Sequence, residues 1–84
     1  MSLRKLNDNF NVIGTTIKMI RFQKNLSQAD LAQKLELLGI SMHKNDIQLI
    51  ETNKRAVRDF ELWGFSQVLD VNLSYFFADI KKYL

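Results

Sequence analysis

The 84-residue chain has no cysteine and no proline, only three glycines, and a single histidine. Without cysteine there is no disulfide and no thiolate zinc site, and one histidine among scattered carboxylates is poor material for a metal cage. The missing thiols fit a reducing compartment. No apolar run approaches the roughly 20 residues that a membrane span requires. The opening MSLRKLNDNFN has no apolar stretch of the kind a secretion signal carries. No glycine-rich phosphate loop or nucleophile–base pair stands out, so neither a cofactor nor an enzymatic activity is expected. The chain reads as one small domain, soluble and cytoplasmic, near the lower size limit for a single apolar core. It leaves no room for a separate small-molecule domain.

Charge is unevenly placed. The formal total is +3, but residues 1–58 carry ten Lys or Arg against five Asp or Glu, and residues 59–84 carry two Lys against four acids. That asymmetry predicts a basic face for an anionic partner. Lysines that merely aid solubility would leave the same trace.

With no proline and many good helix formers, the spacing predicts five helices and no sheet. Ile13, Ile17 and Ile20 form one stripe of a first helix, capped by Asn11 and ending near Asn25. Ser27 and Asp30 have the spacing of a capping box that opens a second helix, with Leu31, Ala32, Leu35 and Leu38 on its buried side. Gly39 supplies a left-handed stop with Ile40 behind it. A third helix is predicted from His43 or Lys44 to Thr52, closed by Asn53. Asp59 is the expected cap of a fourth helix bearing Phe60, Leu62, Trp63, Phe65, Val68 and Leu69. Asn72 is the expected cap of a fifth, bearing Leu73, Phe76, Phe77 and Ile80. Seven of the nine aromatics fall between Phe60 and Tyr83. They are ordinary core in the first instance, and any surplus is available for a dimer contact. Residues 1–10 read as an N-terminal arm open to disorder, and residues 11–84 as the folded domain.

Two helices joined by a short glycine-containing turn have the layout of a helix-turn-helix. On a wheel of the third helix, Ile47 and Ile50 face inward, while Asn45, Gln48, Leu49 and Thr52 face away. Asn and Gln each offer a donor and an acceptor, the complement of adenine's major-groove edge, and Lys reaches the guanine acceptors. A merely solvated face would more often be rich in Glu and Lys pairs.

The stretches LSQADLAQKL (26–35), IQLIETNKR (47–55) and VLDVNLSYFF (68–77) together resemble the XRE (Cro/CI-type) helix-turn-helix family of phage and bacterial repressors. The resemblance runs from Asn11 to Phe77. It implies an all-α, five-helix, lambda-repressor-like domain that inserts helix 43–52 into the major groove. Gln28 matches a glutamine at the edge of the groove, and Lys44, Asn45 and Leu49 match positions that face bases. Lys54 and Arg55 match a loop that runs along phosphates. Arg21 and Glu51 match an internal ion pair. Gln48 shares the outward face, and His43 stands where Ser or Thr is a common cap, within reach of a phosphate. ELLGISM (36–42) is about three residues longer than the usual turn, which leaves the start of the third helix open.

The resulting expectation is a sequence-specific regulator of transcription, in the first instance a repressor, that binds double-stranded DNA at a palindromic operator as a homodimer. One such unit covers too little DNA for high selectivity, and paired half-sites supply the rest. The alternative is an antitoxin or adaptor that uses the same fold chiefly to grip a protein partner.

Overall fold

The computed structural model describes residues 5–84, so residues 1–4 of the expected N-terminal arm lie outside the described residues. Four α-helices follow in order: α1 (Gly14–Gln23), α2 (Gln28–Glu36), α3 (Lys44–Glu51) and α4 (Asp59–Leu69). Two short 3-10 helices, Leu73–Phe77 and Ile80–Tyr83, complete the chain. The described residues are all-helical, apart from one isolated bridge between Leu6 and Asn9.

Three helices open with the same device. A carboxylate three residues past the cap folds back onto the cap's backbone N–H, satisfying a donor that the helix itself leaves unpaired. The Ser27 N–H donates to Asp30 Oδ2 at 2.9 Å, the His43 N–H to Asp46 Oδ2 at 3.0 Å, and the Arg58 N–H to Glu61 Oε1 at 2.9 Å. Only the first is completed in the other direction by a side chain, with the Asp30 N–H donating to Ser27 Oγ. Arg58 therefore takes the cap position expected of Asp59, because Glu61 rather than Asp59 supplies the returning carboxylate. At α1 the cap lies further upstream: Asn11 Oδ1 accepts from the N–H groups of Ile13 and Gly14.

All four helices also end alike, in a residue with left-handed backbone. These are Asn25 (φ 56°), Gly39 (φ 83°), Asn53 (φ 61°) and Asp70 (φ 56°). The next residue's N–H then reaches back five positions, from Leu26 to Arg21 O, Ile40 to Leu35 O, Lys54 to Leu49 O and Val71 to Ser66 O. This closure absorbs carbonyls that would otherwise lack partners. The residue after the turn is apolar in three cases: Ile40 is in the core, and Leu26 and Val71 pack against it.

The core gathers Ile13 just before α1, Ile17 and Ile20 from α1, Leu31 and Leu35 from α2, Ile47 and Ile50 from α3, Phe65 and Leu69 from α4, and Phe76 from the first 3-10 helix. Ile40 and Met42 of the α2–α3 turn belong to it as well. Leu38 does not: it is 41% exposed, because the turn at Gly39 redirects the chain and Ile40 fills the place instead.

The expected fifth α-helix is absent from the described residues. Asn72 makes no side-chain cap bond, and the segment divides into two tight turns separated by Ala78 and Asp79. Phe76 and Tyr83 are the buried members of the two turns. A 3-10 helix places residues i and i+3 in register. Residues 5–10, the other part of the expected arm, are folded. A turn with positive φ at Asn7 and Asp8 pairs Leu6 with Asn9, and the Phe10 N–H donates to Asn53 O at 3.0 Å.

α1 approaches α3 through Gly14. A Cβ there would run into the Ile50 carbonyl oxygen and stand 2.7 Å from Asn53 Oδ1. The first obstacle is backbone, and the second is a side-chain amide whose nitrogen is held by Asn9 and Tyr83. Gly14→Ala is therefore expected to lower stability by about 1–3 kcal/mol or more, the usual cost of forcing atoms into a packed contact. A thermal melt checks this, and an unchanged Tm would mean that the two helices are free to separate.

Candidate nucleic-acid interface

α3 is held by its buried side. Arg21 of α1 donates to Glu51 of α3 through Nε (2.7 Å to Oε2) and Nη2 (3.0 Å to Oε1). Its third nitrogen, Nη1, donates to the Leu26 carbonyl at 2.8 Å. Both side chains are almost wholly removed from water. Glu51 raises the Arg21 pKa above its ordinary value, chiefly through these hydrogen bonds and against the effect of burial. The ion pair expected from sequence is present, and Gln28 joins it, with Nε2 donating to Glu51 Oε1 at 3.0 Å. α1, α2 and α3 are thus joined at one carboxylate.

With Ile47, Ile50 and Glu51 turned inward, α3 presents Lys44, Asn45, Gln48 and Leu49 to solvent, and Thr52 is exposed just past its end. Five of the expected contact residues are exposed: Lys44, Asn45, Gln48 and Leu49 on the helix, and Lys54 just beyond it. His43 is exposed at the helix entrance. Gln28 is half-buried at its edge, with its amide committed to Glu51. Thr52 turns its hydroxyl back onto the carbonyls of Gln48 and Leu49, leaving the two amides as the polar groups at mid-helix.

Two lysines stand where helix stability does not want them. Lys44 is in the first turn of α3, where a cation opposes the helix dipole. Lys54 follows the left-handed Asn53 at the one helix end where the following residue is not apolar. It is exposed where Leu26, Ile40 and Val71 pack inward. Local stability does not explain either residue.

Arg55 is placed differently from the expectation. Its Nη1 and Nη2 donate to Glu61 Oε1 and Oε2 at 2.9 and 3.0 Å, and Nη1 also donates to Ala56 O. Asp46 stands 3.7 Å from Nε. Glu61 raises the Arg55 pKa, and the guanidinium is spent on joining the 52–58 turn to α4. Arg58, overlooked in the sequence, keeps its side chain 69% exposed beside the same carboxylate, at 3.9 Å. The signal for it was the spacing of Arg58 and Glu61, which mirrors Ser27 and Asp30. Asp46, acidic on an otherwise basic surface, is accounted for by the His43 N–H and by Arg55.

Among the described residues, no group of three His, Cys, Asp or Glu side chains could hold a metal ion, and no helix is long and apolar enough to cross a membrane.

Removing one partner of the Arg21–Glu51 pair leaves a buried, uncompensated charge. Arg21→Met is expected to cost about 3–5 kcal/mol. A denaturant melt reads this directly, and a loss under 1 kcal/mol would mean that Glu51 finds another donor.

Burial opposes ionisation of Glu61, but the hydrogen bonds from Arg55 and the Arg58 N–H outweigh it and hold the carboxyl below its ordinary value. A folded pKa lower than the unfolded one adds stability that is fully present above the unfolded value. That stability is lost as pH falls through the folded value. The Tm difference between the wild type and Glu61→Gln should therefore be constant near neutrality and shrink as pH drops below 4.5. Melts across that range check it, and a gap that persists unchanged in acid would remove Glu61 as the source.

No protein-family model matches the chain and no curated protein aligns with it, so the chemistry of the surface itself carries the functional reading.

Proposed function

We propose that the protein binds double-stranded DNA sequence-specifically, with α2 and α3 acting as a helix-turn-helix and the outer face of α3 lying in the major groove. The observation that carries this reading is the composition of that face. Asn45 and Gln48 are exposed at mid-helix between Lys44 and Lys54, and both lysines sit where helix energetics would not put them. Amides pair with base edges in two directions at once, while ammonium groups hold phosphates without regard to sequence. Leu49 offers a methyl-sized apolar contact beside them. Lys54 and Arg58 are the phosphate contacts of the 52–58 turn, and Arg55 shapes that turn from within. Gln28 acts through Glu51, steadying α3 against α2. The biological role in this reading is transcriptional regulation, in the first instance repression, by a two-fold homodimer on a palindromic site.

One observation favours a second reading, an adaptor or antitoxin-type interaction module. Phe60 and Trp63 lie three residues apart on α4 and are 51% and 47% exposed. They give that helix an aromatic outer side that DNA would not cover. Retention on heparin and on random duplex at low salt separates the two readings, since an interaction module has no need of it.

Two kinds of contact should separate in titrations on preferred and scrambled duplexes at several salt concentrations. Lys54→Ala should weaken both duplexes alike and lower the slope of log affinity against log salt by roughly one unit. Asn45→Ala should cost about 1–3 kcal/mol on the preferred site and leave scrambled DNA nearly unaffected. Equal weakening on both duplexes by Asn45→Ala would put α3 outside the groove.

A further inference from the structure

Asn53 does more than end α3. Its positive φ turns the chain, and three separate segments converge on it. Its carbonyl accepts from the Phe10 N–H at 3.0 Å. Its Nδ2 donates to Asn9 Oδ1 and to the Tyr83 hydroxyl, both at 3.2 Å. Tyr83 in turn shares a hydrogen bond of 3.1 Å with Thr15 Oγ1 at the start of α1. The amide oxygen of Asn53 is buried without a partner, facing the bare Cα of Gly14. An unpaired buried acceptor costs free energy. Tolerating it means that the orientation of the amide is fixed by the other end, where Asn9 and Tyr83 hold the nitrogen.

The next residue is Lys54, whose own N–H closes onto Leu49 O at 2.8 Å. Elsewhere the residue after such a turn is anchored by an apolar side chain packed inward. Lys54 has no such anchor, so its direction is set by the residues on either side: Arg55, whose carbonyl accepts from Asn11 Nδ2 at 2.9 Å and whose guanidinium is held by Glu61, and Asn53 on the helix side. We infer that Asn53 and Tyr83 are positioning residues for the proposed phosphate contact: the C-terminal 3-10 turn clamps the Asn53 amide, and the clamp aims Lys54 along the α3 surface. This inference rests on the DNA-binding reading for its functional half, but the clamp is testable without DNA.

The turn and its side-chain clamp separate cleanly by substitution. Asn53→Gly keeps a residue that accepts positive φ and removes the amide. Tyr83→Phe removes only the hydroxyl. In both variants, amide exchange at Lys54 should speed up about three- to tenfold relative to amides of α2 and α4, which is the opening expected from one lost hydrogen bond. On scrambled duplex, both should show a salt slope lowered toward that of Lys54→Ala, by up to roughly one unit. Adding either to Lys54→Ala should change the slope no further. A purely structural role would instead raise exchange uniformly across the helices and leave the slope as in the wild type, which would overturn the inference. Unchanged Lys54 exchange in both variants would overturn the clamp itself. If the wild-type protein binds no duplex at low salt, the functional reading fails, while the exchange result still decides whether the clamp exists.

Discussion

A guanidinium and a carboxylate, both out of water, fix how α3 sits on the rest of the molecule. Ile47 and Ile50 give α3 an apolar side, but apolar contacts are non-directional and would tolerate small slides along the groove between α1 and α2. The Arg21–Glu51 pair would not. Three donors converge on the two oxygens of Glu51, two from Arg21 and one from Gln28, and Arg21 spends its remaining nitrogen on the Leu26 carbonyl. Sliding α3 would strand a charge in the interior. Such pairs contribute little net stability against well-packed apolar residues. Their use here is registry: they set which residues of α3 face outward.

The same local rules recur along the chain, and the informative residues are those that break them. Acidic residues fold back on three helix entrances, and left-handed residues close four helix ends. Against that regularity, Lys44 in a first turn and Lys54 in place of an apolar anchor stand out. Neither improves the helix that carries it. Residues placed against local preference are where the proposed function finds its support.

Much of this was legible in the sequence because it depends on neighbours in the chain. The isoleucine stripe of α1, the Ser27–Asp30 box, the stop at Gly39 and the turn at Asn53 all follow from spacing and backbone preference. Glu51 was legible too, as an acid on the apolar side of a wheel. What escaped depends on contacts distant in sequence or across a turn. The apolar spacing from Leu73 to Ile80 suits an α-helix as well as two tight turns. In the fold Tyr83 is tied to Thr15 and Asn53, 68 and 30 residues away, and no local pattern announces that. Arg55 looked like one more cation in a basic loop until Glu61, across the turn into α4, proved to hold both of its terminal nitrogens.

That division of the cations has a chemical logic. A guanidinium is planar and forked, suited to gripping a carboxylate through two parallel bonds. An ammonium is a point charge on a flexible stem. Here Arg21 and Arg55 are consumed by internal carboxylates, and lysines dominate what remains near α3. Point charges confer attraction without much geometry. In the proposed DNA-binding reading, such a surface leaves discrimination to its directional groups, and on α3 those are the amides of Asn45 and Gln48. Selectivity would therefore be concentrated in a few side chains, so the register in which α3 is held, set by the Arg21–Glu51 pair, governs what they can reach.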